Sequence, residues 1–254
     1  MHYGLYLSAT GVMANSHRQD VIANNLANAE TTGFKRDLPL FQERLTEAQH
    51  RRALAGRSNL LLENLGGGLL ISPTAIDHSQ GDLEETGRTL DVAIYGRGFL
   101  GVRQGSETLL TRDGRLMTDK QGFLITGGIN PAQVLDHQGN PIQLDPRLPV
   151  QIDDAGQISQ GGEVRARLGL YTVADTRQLV KMGEGRFRAT QPAAATAAAP
   201  GQIRSGFLER ANVSPATELT QLIETQRQLE ANANMIRYQD TMLGRLVNDV
   251  GKIS

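Results

Sequence analysis

The chain has no cysteine and no tryptophan. Without cysteine there is no thiolate nucleophile, no disulfide and no Cys-rich metal site, which suits a polypeptide that has to pass through an oxidising compartment. Aromatic residues make up only 4% of the sequence, while glycine occurs 28 times in 254 residues, a balance that implies many turns and a thin core. No excess of positive charge exists either: 26 Lys and Arg stand against 27 Asp and Glu, for a net charge of −1. A nucleic-acid groove or a polybasic membrane patch is therefore not expected. No apolar run of about 18 residues occurs, so direct membrane insertion is not expected. The first twenty residues lack a basic stretch followed by a continuous apolar one, so no cleavable secretory signal is expected.

What is present in strength lies at the two ends. From Ser214 onward, positions spaced alternately three and four apart read Leu219, Leu222, Gln226, Leu229, Ala233, Ile236, Asp240, Leu243, Val247 and Val250. This is a heptad series broken only by Gln226 and Asp240, and it predicts a long helix with a narrow stripe turned toward a partner. Ser214 is a natural N-cap and Pro215 fits the first helical position. At 1.5 Å per residue the helix would span roughly 50 Å. Gln226 and Asp240 are candidates for fixing register, as polar residues within such a stripe do. Residues 3 to 28 predict a second helix, with Leu5, Ala9, Val12, Ala23 and Leu26 on a weaker heptad series whose other members are Ser16 and Gln19. Asn24, Asn25 and Asn28 crowd its end. Thr31, Thr32 and Gly33 stop it, since Gly33 can adopt a positive φ.

Between the ends the pattern changes. Residues 34–68 read as a connector with a short helix over Leu38 to Ala53. From Leu69 to Leu208 short alternating runs are closed by turn signals such as Asp113-Gly114, Gly139-Asn140 and Gly161-Gly162. The runs are Thr89 to Ile94, Phe99 to Arg103, Thr108 to Arg112, Gly122 to Thr126, Gln133 to Asp136, Pro149 to Ile152 and Ala166 to Ala174. Strands at close spacing without intervening helices predict an antiparallel β domain. The Ala-rich stretch from Ala189 to Gly201 reads as a loop or a helical turn. The expected fold class is thus α+β, with long N- and C-terminal helices (1–33 and 209–254) pairing as a coiled coil around an inserted antiparallel β domain (69–208).

Chemical motifs are few. Gly96-Arg97-Gly98-Phe99-Leu100-Gly101 is formally G-x-G-x-x-G, but a dinucleotide fold needs those glycines to open a helix, and the alternating residues that follow predict a hairpin. The glycines are expected to serve tight turns or close backbone approach. His2, His17, His50, His78 and His137 have no ligand spacing, so no metal is expected. No nucleophile motif appears, and neither a catalytic residue nor a cofactor is expected.

One run is distinctive. Ile22-Ala23-Asn24-Asn25-Leu26-Ala27-Asn28-Ala29-Glu30-Thr31-Thr32-Gly33-Phe34-Lys35 closely resembles the A-N-N-L-A-N and T-x-G-F-K signature of the flagellar basal-body rod and hook family. Gly206 to Val213, Ile223 to Asn232 and Asp240 to Leu243 resemble the family's G-x-L-E-x-S-N-V, I-x-x-Q-R-x-x-E-A-N and D-x-M-L segments. Leu90 to Ile94, Gly96 to Phe99 and Thr111-Arg112-Asp113-Gly114 resemble its central part. Leu100, Leu110, Leu116, Ala211 and Leu229 depart from it, mostly by putting leucine where an aromatic is usual.

The resemblance implies a non-enzymatic structural subunit of the flagellar rod, located in the basal body. It would be exported by the flagellar type III apparatus without signal cleavage, and its partners would be other rod subunits and copies of itself. The implied assembly interface comprises Leu5, Val12, Asn24, Asn25, Leu26, Asn28, Gly33 and Phe34 at the N-terminal end. At the C-terminal end it comprises Leu219, Leu222, Gln226, Leu229, Ile236, Asp240, Leu243, Val247 and Val250. The length fits a proximal or a distal rod subunit, and Tyr3 to Tyr6 and Gly183 to Arg188 lean to the proximal type. A rival of another class, a secreted β domain that binds or hydrolyses carbohydrate, leaves the Asn-rich run unexplained.

Overall fold

The computed structural model describes residues 3–44, 68–191, 195–197 and 199–250. The chain divides into two compact units. One holds residues 1–26, 37–75 and 214–254, and the other holds 27–36 and 76–213.

The first unit contains the two helices, α1 (Tyr3–Ala27) and α2 (Pro215–Val250), and a ribbon of β1 (Asp37–Glu43) and β2 (Leu69–Ile76). Helix α2 starts where the sequence marks it, at Pro215, with the Ser214 carbonyl accepting from the Glu218 N–H at 3.0 Å. The expected helix from Leu38 is not formed over the described residues, which are strand β1 instead. Its start is set by Asn25, whose side-chain amide donates to the Asp37 carbonyl and accepts from the Asp37 N–H, both at 2.9 Å. That two-bond contact mimics a strand partner and holds Asp37 extended. Pro39 then suits an edge strand, where no ladder donor is needed. The remainder of the expected helix, residues 45–53, lies outside the described residues.

The second unit carries β3 (Leu83–Glu85), β4 (Val92–Tyr95), β5 (Phe99–Gln104), β6 (Glu107–Thr111), β7 (Leu116–Thr118), β8 (Leu124–Thr126) and β9 (Gln133–Val134). They are followed by β10 (Val150–Ile152), β11 (Gln157–Gln160), β12 (Glu163–Arg167), β13 (Leu170–Val173), β14 (Leu179–Gly183), β15 (Arg186–Ala189), β16 (Ala195–Ala197), β17 (Gln202–Ser205) and β18 (Phe207–Glu209). The main sheet runs β14-β15-β6-β5-β9-β8-β7, with β13 and β16 attached beside β5. Strand β5 is central: one edge pairs with β6, and the other is shared, Phe99 and Leu100 with β13 and Val102 and Arg103 with β9. The Ala-rich segment is neither loop nor helical turn at Ala195–Ala197. There it is a strand paired antiparallel to β13.

Phe99, Leu100, Gly101 and Val102 are all buried, because β5 has packing on both faces and so loses the one-sided alternation of an outer strand. Leu100 and Val102 enter one cluster with Val92, Ile94 and Leu124, while Phe99 enters another with Tyr171 and Phe187. Gly101 is where the Tyr171 ring passes: a Cβ there would lie 2.2 Å from the ring. Gly96 and Gly98 take φ of 91° and 143° in the turn from β4 to β5. The formal nucleotide motif is thus a bend followed by a ring-contact strand. Leu100, Leu110 and Leu116 are each at most 2% exposed, so leucine at these positions keeps the burial while giving up ring packing.

Candidate functional site

Two arrangements stand out, one in each unit. In the helical unit, a Cβ added at Gly4 would lie 2.8 Å from Gln239 Nε2, and one added at Gly11 would lie 2.9 Å from Asn232 Nδ2. The contact positions rise along α1 as they fall along α2, so the helices touch in antiparallel sense. The partly or fully buried positions of α2 include Glu218, Leu222, Thr225, Leu229, Asn232, Ile236, Gln239 and Leu243. This is a heptad-spaced stripe, but only half of it is the expected one. Leu222, Leu229, Ile236 and Leu243 are members as the sequence predicts; the alternate positions are the polar Glu218, Thr225, Asn232 and Gln239. Leu219, Gln226, Asp240 and Val247 stand one residue further round and are exposed, Leu219 at 50% and Val247 at 72%. The expectation that these four line the intrachain stripe is corrected. The physical reason is that α1 offers glycine opposite Asn232 and Gln239, and short amide side chains fill that narrow gap where larger apolar ones would not.

On α1, Leu5, Val12 and Leu26 are half-buried, Asn24 is exposed and Asn25 is buried on Asp37. Val250 closes α2, and its side chain lies outside the described residues. The outward side of α2 carries large apolar side chains: Leu219, Ile223, Met235, Tyr238, Met242, Leu246 and Val247 are between 48% and 72% exposed.

In the β-rich unit the arrangement is a buried ion cluster built on Glu209, which is fully buried. Lys35 Nζ donates to Glu209 Oε1 at 2.6 Å and to the Ser79 carbonyl at 2.7 Å. The Gly81 N–H donates to the same Oε1 at 3.0 Å. Arg112 donates through one terminal nitrogen to Glu209 Oε2 at 3.0 Å and through the other to the Gly96 carbonyl at 2.7 Å. The Glu209 carbonyl accepts from the Gly33 N–H at 2.7 Å. Gly33 has φ of 68°, and a Cβ on it would lie 2.5 Å from the Arg112 carbonyl carbon. The glycine is therefore required twice, by conformation and by contact. Phe34 packs with Ala29, Ala211 and Val213, and Lys181 Nζ sits 4.1 Å from its ring centroid. Asn28 takes the Thr31 hydroxyl at 3.3 Å. Asn212 closes the group, donating to the Asp77 carbonyl at 2.9 Å and accepting from the Arg36 N–H at 2.7 Å.

Burial lowers the Lys35 pKa from its ordinary value, an effect that Glu209 opposes. His78, between the Phe99 and Phe187 rings, is held down to about 4 by burial and then by the fields of Lys35 and Arg112. Among the described residues no group of three or more His, Asp or Glu could hold a metal ion.

Comparison with known proteins bears on both arrangements. Residues 5–35 match the family model for the flagella basal body rod protein, and residues 204–249 match that for the flagellar basal body rod FlgEFG protein C-terminal region. The chain is 36% identical to the flagellar basal-body rod protein FlgF of Caulobacter vibrioides, with all of both chains covered. It is 31% identical to the FlgG rod protein of Bacillus subtilis, covering 96% of this chain and 97% of that one. The chain belongs to the flagellar basal-body rod protein family. It is a structural subunit of the rod, α+β, with helices at both ends and a β-rich middle. The two regions that match the rod family models are separated by most of the sequence, and the Lys35–Glu209 ion pair joins them across 174 residues. Arg112 brings in the central rod-family segment.

Sequence reasoning named Gly33 and Phe34 but missed Lys35, Arg112 and Glu209. Each is the charged member of a quoted motif, T-x-G-F-K, T-R-D-G or G-x-L-E, and a charge within an otherwise apolar or glycine-rich motif was the available signal.

Proposed function

We propose that the chain is a non-enzymatic subunit of the proximal rod. It polymerises with copies of itself and with other rod proteins through the outward faces of α1 and α2, delivered by the flagellar type III export apparatus without signal cleavage. The observation that carries this reading is the row of seven large apolar side chains on α2, Leu219 to Val247, left at 48–72% exposure in the single chain. A helix with this much apolar surface on the side away from its intrachain partner needs further helices to cover it. Gln226 and Asp240 lie in the same outward region, where they set register between subunits, and Leu5, Val12 and Leu26 complete the supercoiled pairing of the terminal helices. Leu40, Leu69, Leu70 and Ile71 on the β1–β2 ribbon, each 43–47% exposed, extend the apolar surface of that unit. No helix among the described residues is long and apolar enough to cross a membrane. The full-length match to an FlgF protein favours the proximal type.

The test is to express Tyr238→Asp and Met242→Asp variants in a strain lacking the gene. Purified variants should keep the circular dichroism of the wild type and be exported at its full length, yet assemble no rod and restore no swimming. Normal swimming would overturn the assembly reading. A tag seen by electron microscopy in the distal part of purified hook–basal bodies would reassign the position.

A further inference from the structure

Beside the ion cluster, and within the β-rich unit alone, is a cavity of about 450 Å³ lined by His78, Arg97, Phe99, Arg112, Val173 and Thr176, with Ser79 and Asp175 at its edge. Arg112 is only 5% exposed. Its terminal nitrogens are engaged by Glu209 and Gly96, but its Nε is buried and meets no hydrogen-bond partner among the described residues. Ser79 Oγ accepts from Asn212 at 3.0 Å, which leaves its own hydrogen to donate.

Charge around the cavity is unbalanced. Lys35, Arg36, Arg97, Arg112 and Arg177 make five cations, while Asp77, Asp175 and Glu209 make three carboxylates. Two of the cations, Lys35 and Arg112, are almost fully buried and share the single carboxylate of Glu209. A buried charge without a full counter-charge is destabilising unless another ion supplies it.

We propose that this cavity binds a small oxyanion of the inorganic phosphate class, with Arg112 Nε, the Arg97 guanidinium and the Ser79 hydroxyl as its donors. Guanidinium groups present planar donor sets suited to such oxygens. The Phe99 ring, 5.3 Å below the Arg112 guanidinium carbon, fixes the plane in which the group lies. The bound ion completes the charge balance of the cluster that ties the three rod-family motifs together, so it acts as a brace on the β-rich unit. Because Arg97 is exposed and lies outside the Glu209 hydrogen bonds, it can be removed without breaking the cluster.

The test uses the full chain, melted in inorganic phosphate and in chloride at equal ionic strength. At phosphate about tenfold above its dissociation constant, the wild type should melt about 3–6 °C higher than in chloride. Phosphate also stabilises proteins through exclusion from their surfaces, so two variants separate the effects. Arg97→Ala should lose most of the excess, while Arg188→Ala, an exposed arginine on β15 paired with Glu107, should keep it. In proton NMR the His78 ring signals should shift saturably with phosphate in the wild type and not in Arg97→Ala. No excess over chloride, or an equal excess in Arg97→Ala with no saturable His78 shift, would overturn the proposal.

Discussion

Replacing Glu209 by glutamine should damage this protein far more than replacing Lys35 by methionine, although the two side chains share one ion pair. Glu209 is fully buried and is the only carboxylate bonded to both Lys35 and Arg112, besides accepting from the Gly81 N–H. In Glu209→Gln two cations stay buried with no counter-charge in contact. Losing one side of a buried ion pair costs about 3–5 kcal/mol. In Lys35→Met, Arg112 still balances the carboxylate one to one and Gly81 still donates to it, so the chief loss is the donor to the Ser79 carbonyl, worth about 1–3 kcal/mol. For a unit of this size about 1 kcal/mol moves the melting temperature by roughly 2–4 °C. Glu209→Gln should therefore melt about 6–20 °C lower than wild type, and Lys35→Met only about 2–6 °C lower at neutral pH. Near-UV circular dichroism of the full chain would read it, since Tyr171 is 9% exposed within the β-rich unit and no tryptophan competes. The two variants also differ in pH dependence. Because burial lowers the folded-state pKa of Lys35 below its ordinary 10.5, the unfolded chain binds the extra proton as pH rises toward 10.5, and stability gains over that window. The gain should vanish in Lys35→Met. Equal losses in the two variants, or a larger one in Lys35→Met, would refute the charge argument.

His78 should make the β-rich unit acid-sensitive: with its folded-state pKa at about 4 against 6.5, stability is fully present above 6.5 and is lost as pH falls toward 4. In urea titrations across that range His78→Leu should flatten the slope. Gly33→Ala should cost at least about 2 kcal/mol, because φ of 68° disfavours an L side chain and the new Cβ would meet the Arg112 backbone at 2.5 Å. Gly11→Ala meets only the flexible end of Asn232, and the better helix propensity of alanine, about 1 kcal/mol, offsets it. Thermal melts should show the first variant lower by several degrees and the second near wild type.

The outline of the fold was legible because it rests on local chemistry. Ser214 and Pro215 mark the start of α2, and turn glycines punctuate strands such as β5, β6 and β8. What escaped depended on partners far away in sequence. The stripe of α2 was placed on Leu219, Gln226 and Asp240 by counting apolar residues, a criterion that cannot register that Thr225, Asn232 and Gln239 point inward when the facing helix is lined with glycine. Strand β1 was misread because Asn25, twelve residues earlier, supplies its first pairing. Lys35, Arg112 and Glu209 read singly as solvated charges; only the folded chain brings them within hydrogen-bonding distance.

The antiparallel contact of the end helices also governs when the protein can exist. Gly4 and Gly11 meet Gln239 and Asn232, so the first-made residues have no intrachain helical partner until nearly the last have been synthesised. Glu209 likewise reaches Lys35 across 174 residues and Arg112 across 97. Contacts of such sequence separation close slowly, since the entropy of the long intervening loop has to be overcome first. A chain cut anywhere ahead of residue 209 keeps its first helix and its central strands but lacks both of the closures that hold its ends. The molecule is thereby its own proof of full length: only a finished polypeptide can draw its beginning and its end together.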